Sequence, residues 1–446
     1  MNDTIAAIST ALGVGAISIV RLSGEDAIDI ANKVFSGNLT NALSHTIHYG
    51  YIKDNDEVID EVLVSVMRAP RTFTMEDVVE INCHGGISST NRVLELLLRN
   101  GARMAEAGEF TKRAFLNGRI DLIEAESVMD LINSKTDVSR KMALNGVKGK
   151  ISNKINKLRD KLMDIIANIE VNIDYPEYED ILVVTNEMIL KSMNELKHEF
   201  KKVLKEAENG KIIKEGINTL IIGRPNVGKS SILNRLLDED KAIVTDIEGT
   251  TRDIVEGTVS IDGILLNIID TAGIRETENV VEKIGVEKSI SLIDKADLVI
   301  VVLNNNEELS KDDKKILDAT KDKKRIIFVN KIDLESKLKI DLDVVKGTTL
   351  NDEGLDELKL KIKEMFNIDE IETSDLNYLS NAREISIIKE VLALVDNIIN
   401  EVNNNIEVDM LEIDIRKIWE LLGNMIGESY DDELIDNIFS RFCLGK

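Results

Sequence analysis

Cysteine, proline and basic charge are all scarce in this chain. Its two cysteines, Cys83 and Cys443, stand far apart; they suit a reducing compartment and are too few for a zinc site. Only three prolines interrupt 446 residues. No apolar run reaches the roughly 18 residues of a membrane span, so no membrane partner is expected. The opening MNDTIAAIST lacks the basic and apolar regions of a secretion signal, and a cytoplasmic location is expected. Lysine and arginine total 56 against 81 acidic residues, a net charge of −25. Such a surface repels nucleic acid overall, so any RNA contact needs a local basic patch or a partner. The first 120 residues, with 15 acidic and 11 basic side chains, are the least hostile to an anion.

The length is enough for two to four domains, each with its own core. Up to about residue 120, the β-like runs AISIVRL, EVLVSVM and VVEINC alternate with helical patterns such as NRVLELLLRN. This reads as an N-terminal α/β domain, 1–120. Beyond it the pattern turns helical. Ile151, Ile155, Leu158, Leu162, Ile165 and Ile169 recur at steps of three or four, as do Ile385, Ile388, Leu392, Val395 and Ile399 near the other end. Between these stretches, strands and helices alternate from Gly216 to about 375, the rhythm of a mostly parallel sheet. The expected fold is multidomain, α/β plus all-α. A discontinuous helical domain, 121–210 and 376–446, is interrupted by an inserted P-loop domain, 216–375. Two separate helical domains are the alternative.

The inserted domain carries three motifs in order. GRPNVGKS (Gly223–Ser230) fits GxxxxGK[ST] after the apolar run TLII. Its glycines let backbone N–H groups of Asn226, Val227, Gly228, Lys229, Ser230 and Ser231 curl round phosphates, while Lys229 reaches the β/γ-phosphates and Ser230 offers its hydroxyl to Mg²⁺. DTAG (Asp270, Thr271, Ala272, Gly273) follows ILLNIID. NKID follows RIIFV, supplying Asn330, Lys331 and Asp333. The Asp333 carboxylate matches guanine N1–H and its 2-amino group; adenine has no N1–H and no amine at that place. GTP is therefore the expected nucleotide. GTTRD (Gly249–Asp253) sits where the magnesium-sensing segment belongs, with Thr251 as the second hydroxyl ligand to Mg²⁺, and Thr245, Asp246, Ile247, Glu248, Gly249, Thr250 and Thr251 are expected GTP contacts. Thr348 and Thr349 stand at the remaining guanine-side position.

One absence asks for an explanation. In the Ras-like plan a glutamine after the DxxG glycine positions the attacking water, but Ile274 holds that place here. Asn226 offers a carbonyl near the α/β-phosphates that, with carbonyls of 245–250, is suited to a monovalent cation; the other reading is that Asn226 only closes the loop. Glu276, Glu278 and Glu282 offer carboxylates that can orient water, or form a solvated acidic loop.

NDTIAAIST, IVRLSG, FTMEDVVEINCHGG, GEFTKRAFLNGRIDLIEAE, the DTAG and EKIG pair and the terminal FCLGK together resemble the MnmE (TrmE) family of tRNA-modification GTPases over essentially the whole chain. A departure is STALGVG, where the family's start loop contains proline. The resemblance implies GTP hydrolysis stimulated by potassium and by dimerisation of two G domains. It puts the catalytic glutamate on Glu282 and the potassium ligands on Asn226, Thr245, Ile247 and Thr250. It also implies a folate-binding N-terminal domain. Its 5-formyltetrahydrofolate contacts fall on Arg21, Glu80, Arg119 and Lys446, with Cys443 at the family's terminal cysteine. Arginines suit the anionic folate tail, and a carboxylate suits pterin N–H groups. The implied partners are a second copy of the chain, an FAD-dependent tRNA-modification enzyme and tRNA, whose wobble uridine is modified at C5. A regulatory or ribosome-assembly GTPase is the rival, but it needs neither FCLGK nor a folate-like domain.

Overall fold

The structure is a computed structural model that describes residues 3–174, 184–239, 255–269, 292–350, 353–372 and 374–445. The N-terminal part contains β1 (Ile5–Ile8), β2 (Ile17–Ser23), α1 (Ala27–Val34), β3 (Thr46–Asp54), β4 (Glu57–Met67), β5 (Val78–His84), α2 (Ile87–Arg99), β6 (Arg103–Met104) and α3 (Glu109–Leu116). Helices α4 (Leu122–Asn133), α5 (Asp137–Val147), α6 (Lys150–Asp174) and α7 (Asn186–Glu215) follow. Next come β7 (Ile217–Ile222), α8 (Lys229–Glu239), β8 (Val255–Ile261), β9 (Ile264–Ile269), β10 (Leu298–Asn304), α9 (Lys311–Ala319), β11 (Arg325–Asn330), β12 (Val345–Lys346), α10 (Leu355–Phe366) and α11 (Ile368–Glu372). The chain ends in α12 (Ala382–Asn403), α13 (Val408–Ile426) and α14 (Asp432–Phe439). It divides into two compact units: 1–129 with 146–192 and 397–446, and 130–145 with 193–396.

The first unit is built on a six-stranded sheet in the order β3-β4-β5-β2-β1-β6, antiparallel except for β1 with β6. Period-two alternation gives this sheet two different faces. Val20 and Leu22 of β2, with Val79, Ile81 and Cys83 of β5, face a core closed by Ile30 and Val34 of α1 and Val93 and Leu97 of α2. Ile5 and Ala7 point the other way and pack with Ala105, Phe110 and Phe73. Arg21 and Glu80, directly paired across β2 and β5, share the parity of this second face. In the helical part of the unit, α6 buries Ile151, Ile155, Leu158, Leu162, Ile166 and Ile169. Arg159 is buried there too, ion-paired to Glu428 and lying 4.4 Å over the Trp419 ring.

The second unit holds the sheet β12-β11-β10-β7-β9-β8, parallel except at β8. All seven residues of β10 are buried, as expected of a central parallel strand covered on both faces. Ile221, Ile300 and Phe328 enter one core; Leu220, Val301 and Val329 enter the other. The loops at the carboxyl ends of β7 and β11 therefore emerge at the same edge of the sheet, on either side of β10, the place where open α/β sheets hold ligands.

Candidate functional site

The loop between β7 and α8 is shaped by two left-handed residues, Asn226 (φ 61°) and Gly228 (φ 102°). Asparagine tolerates that region. At Gly228 a Cβ would lie 2.1 Å from Asn330 Nδ2, so the close approach of β11 requires glycine. The buried Asn330 side chain donates to the Val227 carbonyl over 2.8 Å, and Lys331 Nζ donates to the Asn226 carbonyl over 2.8 Å. NKID thus braces the phosphate loop from behind. Lys229 Nζ donates to the carbonyls of Gly223 (2.9 Å) and Arg224 (2.8 Å). Burial pushes its ammonium below the ordinary lysine range. Ser230 and Ser231 stand exposed in the first turn of α8.

Asp333 and Thr348 meet beyond the end of β11, with Thr348 Oγ1 donating to Asp333 Oδ1 over 2.6 Å. Thr349 turns its backbone carbonyl to Arg235 Nε at 3.2 Å. Of the pair considered on the sequence, Thr348 is the one whose side chain touches the Asp333 carboxylate. A further group went unnoticed in the motif itself. Arg224 Nε donates to Asp313 over 3.0 Å and its Nη2 to Glu307 over 2.6 Å. Asp313 is buried and fixed in a capping box with Ser310 at the start of α9. This anchors the first turn of the loop, whose carbonyls hold Lys229. The anchors lie 83 and 89 residues downstream, so no local pattern announces them.

Asn226, Val227, Gly228, Lys229, Ser230, Ser231, Asn330, Lys331 and Asp333 are all brought together in the second unit. Thr245, Asp246, Ile247, Glu248, Gly249, Thr250, Thr251, Asp270, Thr271, Ala272, Gly273 and Glu282 lie outside the described residues, as does Lys446.

The second face of the N-terminal sheet gathers the other candidates. Arg21 Nε donates to Glu80 Oε1 over 2.8 Å, and its guanidinium lies 5.6 Å from the Phe110 ring centre. The exposed Arg119 stacks 4.8 Å over Phe73. Beside them, α3 is held by buried Arg113, which ion-pairs with Asp3, Glu76 and Glu109. Burial pushes the Glu109 carboxyl up, but hydrogen bonds from Arg103 and Arg113 outweigh it and hold the group below the usual range. Phe73 and Phe110 lie inside the quoted FTMEDVVEINCHGG and GEFTKRAFLNGRIDLIEAE motifs, but apolar rings there read as core residues, and the sequence alone does not single them out as site residues.

The chain end is tied to the same face. Phe439 and Phe442 anchor it in a cluster with Phe115 and Leu122. The Cys443 carbonyl accepts from Gly108 N–H at 3.3 Å, Leu444 bridges to Ala107, and the Gly445 carbonyl accepts from Ser9 Oγ (3.1 Å) and Arg21 Nη1 (3.2 Å). Cys443 itself is exposed. Gly445 is left-handed (φ 84°), and a Cβ on it would lie 2.4 Å from the Ile8 carbonyl oxygen. Only glycine passes here.

A model of the MnmE helical domain matches residues 122–443, and a model of the GTP-binding protein TrmE N-terminus matches residues 4–119. The chain belongs to the MnmE family. It is 51% identical over 458 residues to the tRNA modification GTPase MnmE of Bacillus velezensis, covering 100% of both chains. It is 50% identical over 456 residues to the MnmE of Staphylococcus aureus strain MSSA476, covering 100% of this chain and 99% of that one. Among solved structures, the G domain of the T. maritima FeoB iron transporter is 29% identical and covers 33% of this chain and 98% of that chain, with a TM-score of 0.25. Aquifex aeolicus Era is 27% identical, covering 34% of this chain and 56% of that chain at a TM-score of 0.25. An MnmE chain combines an N-terminal domain, a helical domain and a P-loop G domain, and both sheets described above fit that plan.

Proposed function

We propose that this chain is a potassium-stimulated GTP hydrolase that, as a homodimer and with a flavoprotein partner, modifies C5 of the wobble uridine in certain tRNAs using a folate-borne one-carbon unit. The supporting observation is that Asn330 and Lys331 of NKID brace the phosphate loop, while Asp333 of the same motif is held by a hydrogen bond from Thr348. A carboxylate at that place in the motif suits guanine N1–H and its 2-amino group, and has little use with adenine. Ser230, whose exposed hydroxyl opens α8, and Thr251 would hold Mg²⁺. Asn226, with Thr245, Ile247 and Thr250, would hold K⁺, which supplies positive charge where the β–γ leaving oxygen becomes negative. Glu282 would orient the attacking water.

The donor set on the second sheet face fits a folate. Glu80 offers a carboxylate to pterin N–H groups, Arg21 and Arg119 offer cations to the anionic tail, and Phe110 and Phe73 supply flat apolar surface. Lys446, outside the described residues, would add a further cation. Formyltetrahydrofolate would bring the one-carbon unit, with Cys443 nearby on the tail. The decisive test pairs two assays on one preparation: hydrolysis of GTP against ATP, and mass analysis of wobble nucleosides after incubation with the flavoprotein, GTP and formyltetrahydrofolate. Equal hydrolysis of both nucleotides, or an unmodified wobble position, would reject the reading.

A further inference from the structure

Helix α6 carries a second, basic stripe beside its apolar one. Residues 148–161 hold six basic side chains and a single acidic one, in a chain whose net charge is −25. Lys150, Lys154, Lys157 and Lys161 recur at steps of four, three and four, which places them within an arc of about 60° along roughly 16 Å of helix. Lys148 precedes them in the turn before the helix. Lys148, Lys150, Lys157 and Lys161 are exposed, whereas Arg159, the sixth cation, is buried against Trp419 and Glu428. Lys154 and Lys161 also have partners within the protein. Acidic groups nearby include exposed Asp160 and Asp164 on the same helix, Glu124 of α4, which lies against Gly149, and half-buried Asp121 just before α4.

Like charges at helical spacings of three and four repel one another and destabilise the helix that carries them. The apolar stripe of α6 would be equally well served by alternating charges, as α7 shows with its interspersed glutamates and lysines. We infer that the Lys148–Lys161 stripe is a docking surface for the phosphate backbone of tRNA. The length of the stripe spans several consecutive phosphates of a strand, and lysine ammoniums meet phosphates as point charges without reading sequence. An acidic protein that handles RNA needs such a local patch. The inference rests on the tRNA reading above and adds the place of contact.

The test replaces Lys148, Lys150 and Lys157 together by Ala and, separately, by Arg. Binding of bulk tRNA to the full-length chain is measured by fluorescence anisotropy from about 50 to 200 mM salt, a range in which phosphate contacts are strongly screened. The alanine variant is expected to bind about tenfold more weakly at the lower salt, with the log–log salt slope shallower by about two to three. The arginine variant should restore both, GTP hydrolysis should stay at its original rate, and Lys201→Ala with Lys202→Ala on α7 should change neither. Original affinity and slope in the alanine variant would overturn the assignment. So would unchanged tRNA binding accompanied by lost binding to phosphatidylserine vesicles, which would make the stripe a lipid surface. If the original chain itself binds no tRNA, the functional reading fails first and the stripe with it.

Discussion

Thr348 Oγ1 donates to Asp333 Oδ1 over 2.6 Å, and the Thr348 N–H in turn donates to the Glu353 carbonyl over 2.9 Å. A buried hydroxyl thus holds one carboxylate oxygen of Asp333, the group proposed to read the guanine base. Thr348→Val keeps the shape and removes the bond. GTP affinity should fall about fivefold to tenfold, near 1 kcal/mol, because one hydrogen bond to a charged acceptor is lost. Turnover at saturation should stay, since the contact is the same in ground and transition states. Titration with a fluorescent GTP analogue measures the first, and steady-state hydrolysis the second. Unchanged affinity would mean Asp333 needs no such support.

The cross-strand pair of Arg21 and Glu80 gives the second prediction. Both are about one-fifth exposed, at 20% and 23%, so neither is a free surface charge nor an inert core pair. Glu80→Gln and Arg21→Ala should each weaken formyltetrahydrofolate binding about 10- to 100-fold, the range for a lost hydrogen bond to a charged group. GTP hydrolysis should be unaffected, because the nucleotide loop belongs to the other unit. Calorimetric titration with the folate decides it. Full folate affinity in both variants would remove the sheet face from the site.

Much of this was legible before any coordinates, and the reason is chemical. Phosphate cradles need glycine at left-handed positions and a lysine at a fixed offset, so Gly228 and Lys229 announce themselves locally. The strands AISIVRL, EVLVSVM and VVEINC became β2, β4 and β5 because alternation is a local property. Pairing is not local. Arg21 and Glu80 are 59 residues apart, and only the register of β2 on β5 makes them neighbours. The same holds for Arg224 with Glu307 and Asp313. Helical stripes were placed correctly but drift by one residue: α6 buries Ile166 and leaves Ile165 partly open, and α12 buries Val391 and Ile398 more fully than Leu392 and Ile399. A step of 3.6 residues cannot be read to the exact side chain from integer spacings.

Catalysis without the glutamine is tested by cation and by carboxylate. Turnover should be far faster in K⁺ than in Na⁺ at equal ionic strength, and Asn226→Ala should abolish the difference. Equal rates in the two salts would return Asn226 to a loop-closing role. Glu282→Ala should lose about 10²-fold in turnover, near 2.7 kcal/mol, while keeping GTP affinity. Affinity that collapses together with turnover would mark Glu282 as structural.

His84 supplies a pH prediction. Its Nδ1 lies 2.7 Å from Asp60 Oδ1, and the same carboxylate accepts the His84 N–H over 2.8 Å. The hydrogen bond to Asp60 raises the imidazole above its ordinary value. A raised cation contributes stability below the unfolded value of about 6.5, and that contribution fades as pH rises through the folded value. The ring is 70% exposed, so the effect on folding is small and the titration itself is the readout. NMR should place the His84 midpoint above 6.5, and Asp60→Asn should bring it back. A midpoint that ignores the substitution would exclude the carboxylate as its cause.

The chain end gives the last prediction. A frayed terminus makes no specific contacts and tolerates change. Here the tail makes four in succession: Cys443 to Gly108, Leu444 to Ala107, and Gly445 to both Ser9 and Arg21. The last of these puts a backbone carbonyl on the guanidinium that also holds Glu80, so the tail and the face proposed to bind folate share one side chain. Removing Cys443–Lys446 would free Arg21 on one side and leave the Gly108 N–H without its acceptor. A subtler variant is Gly445→Ala. Its Cβ would meet the Ile8 carbonyl at 2.4 Å and its φ of 84° disfavours any side chain, so the tail must lift while the rest of the chain stays intact. Both variants should hydrolyse GTP at the normal rate, bind formyltetrahydrofolate about tenfold or more weakly, and fail to modify tRNA. Thermal unfolding of the same preparation checks that the domain remains folded. If Gly445→Ala modifies tRNA normally, the docked tail only closes the sheet edge and takes no part in the chemistry.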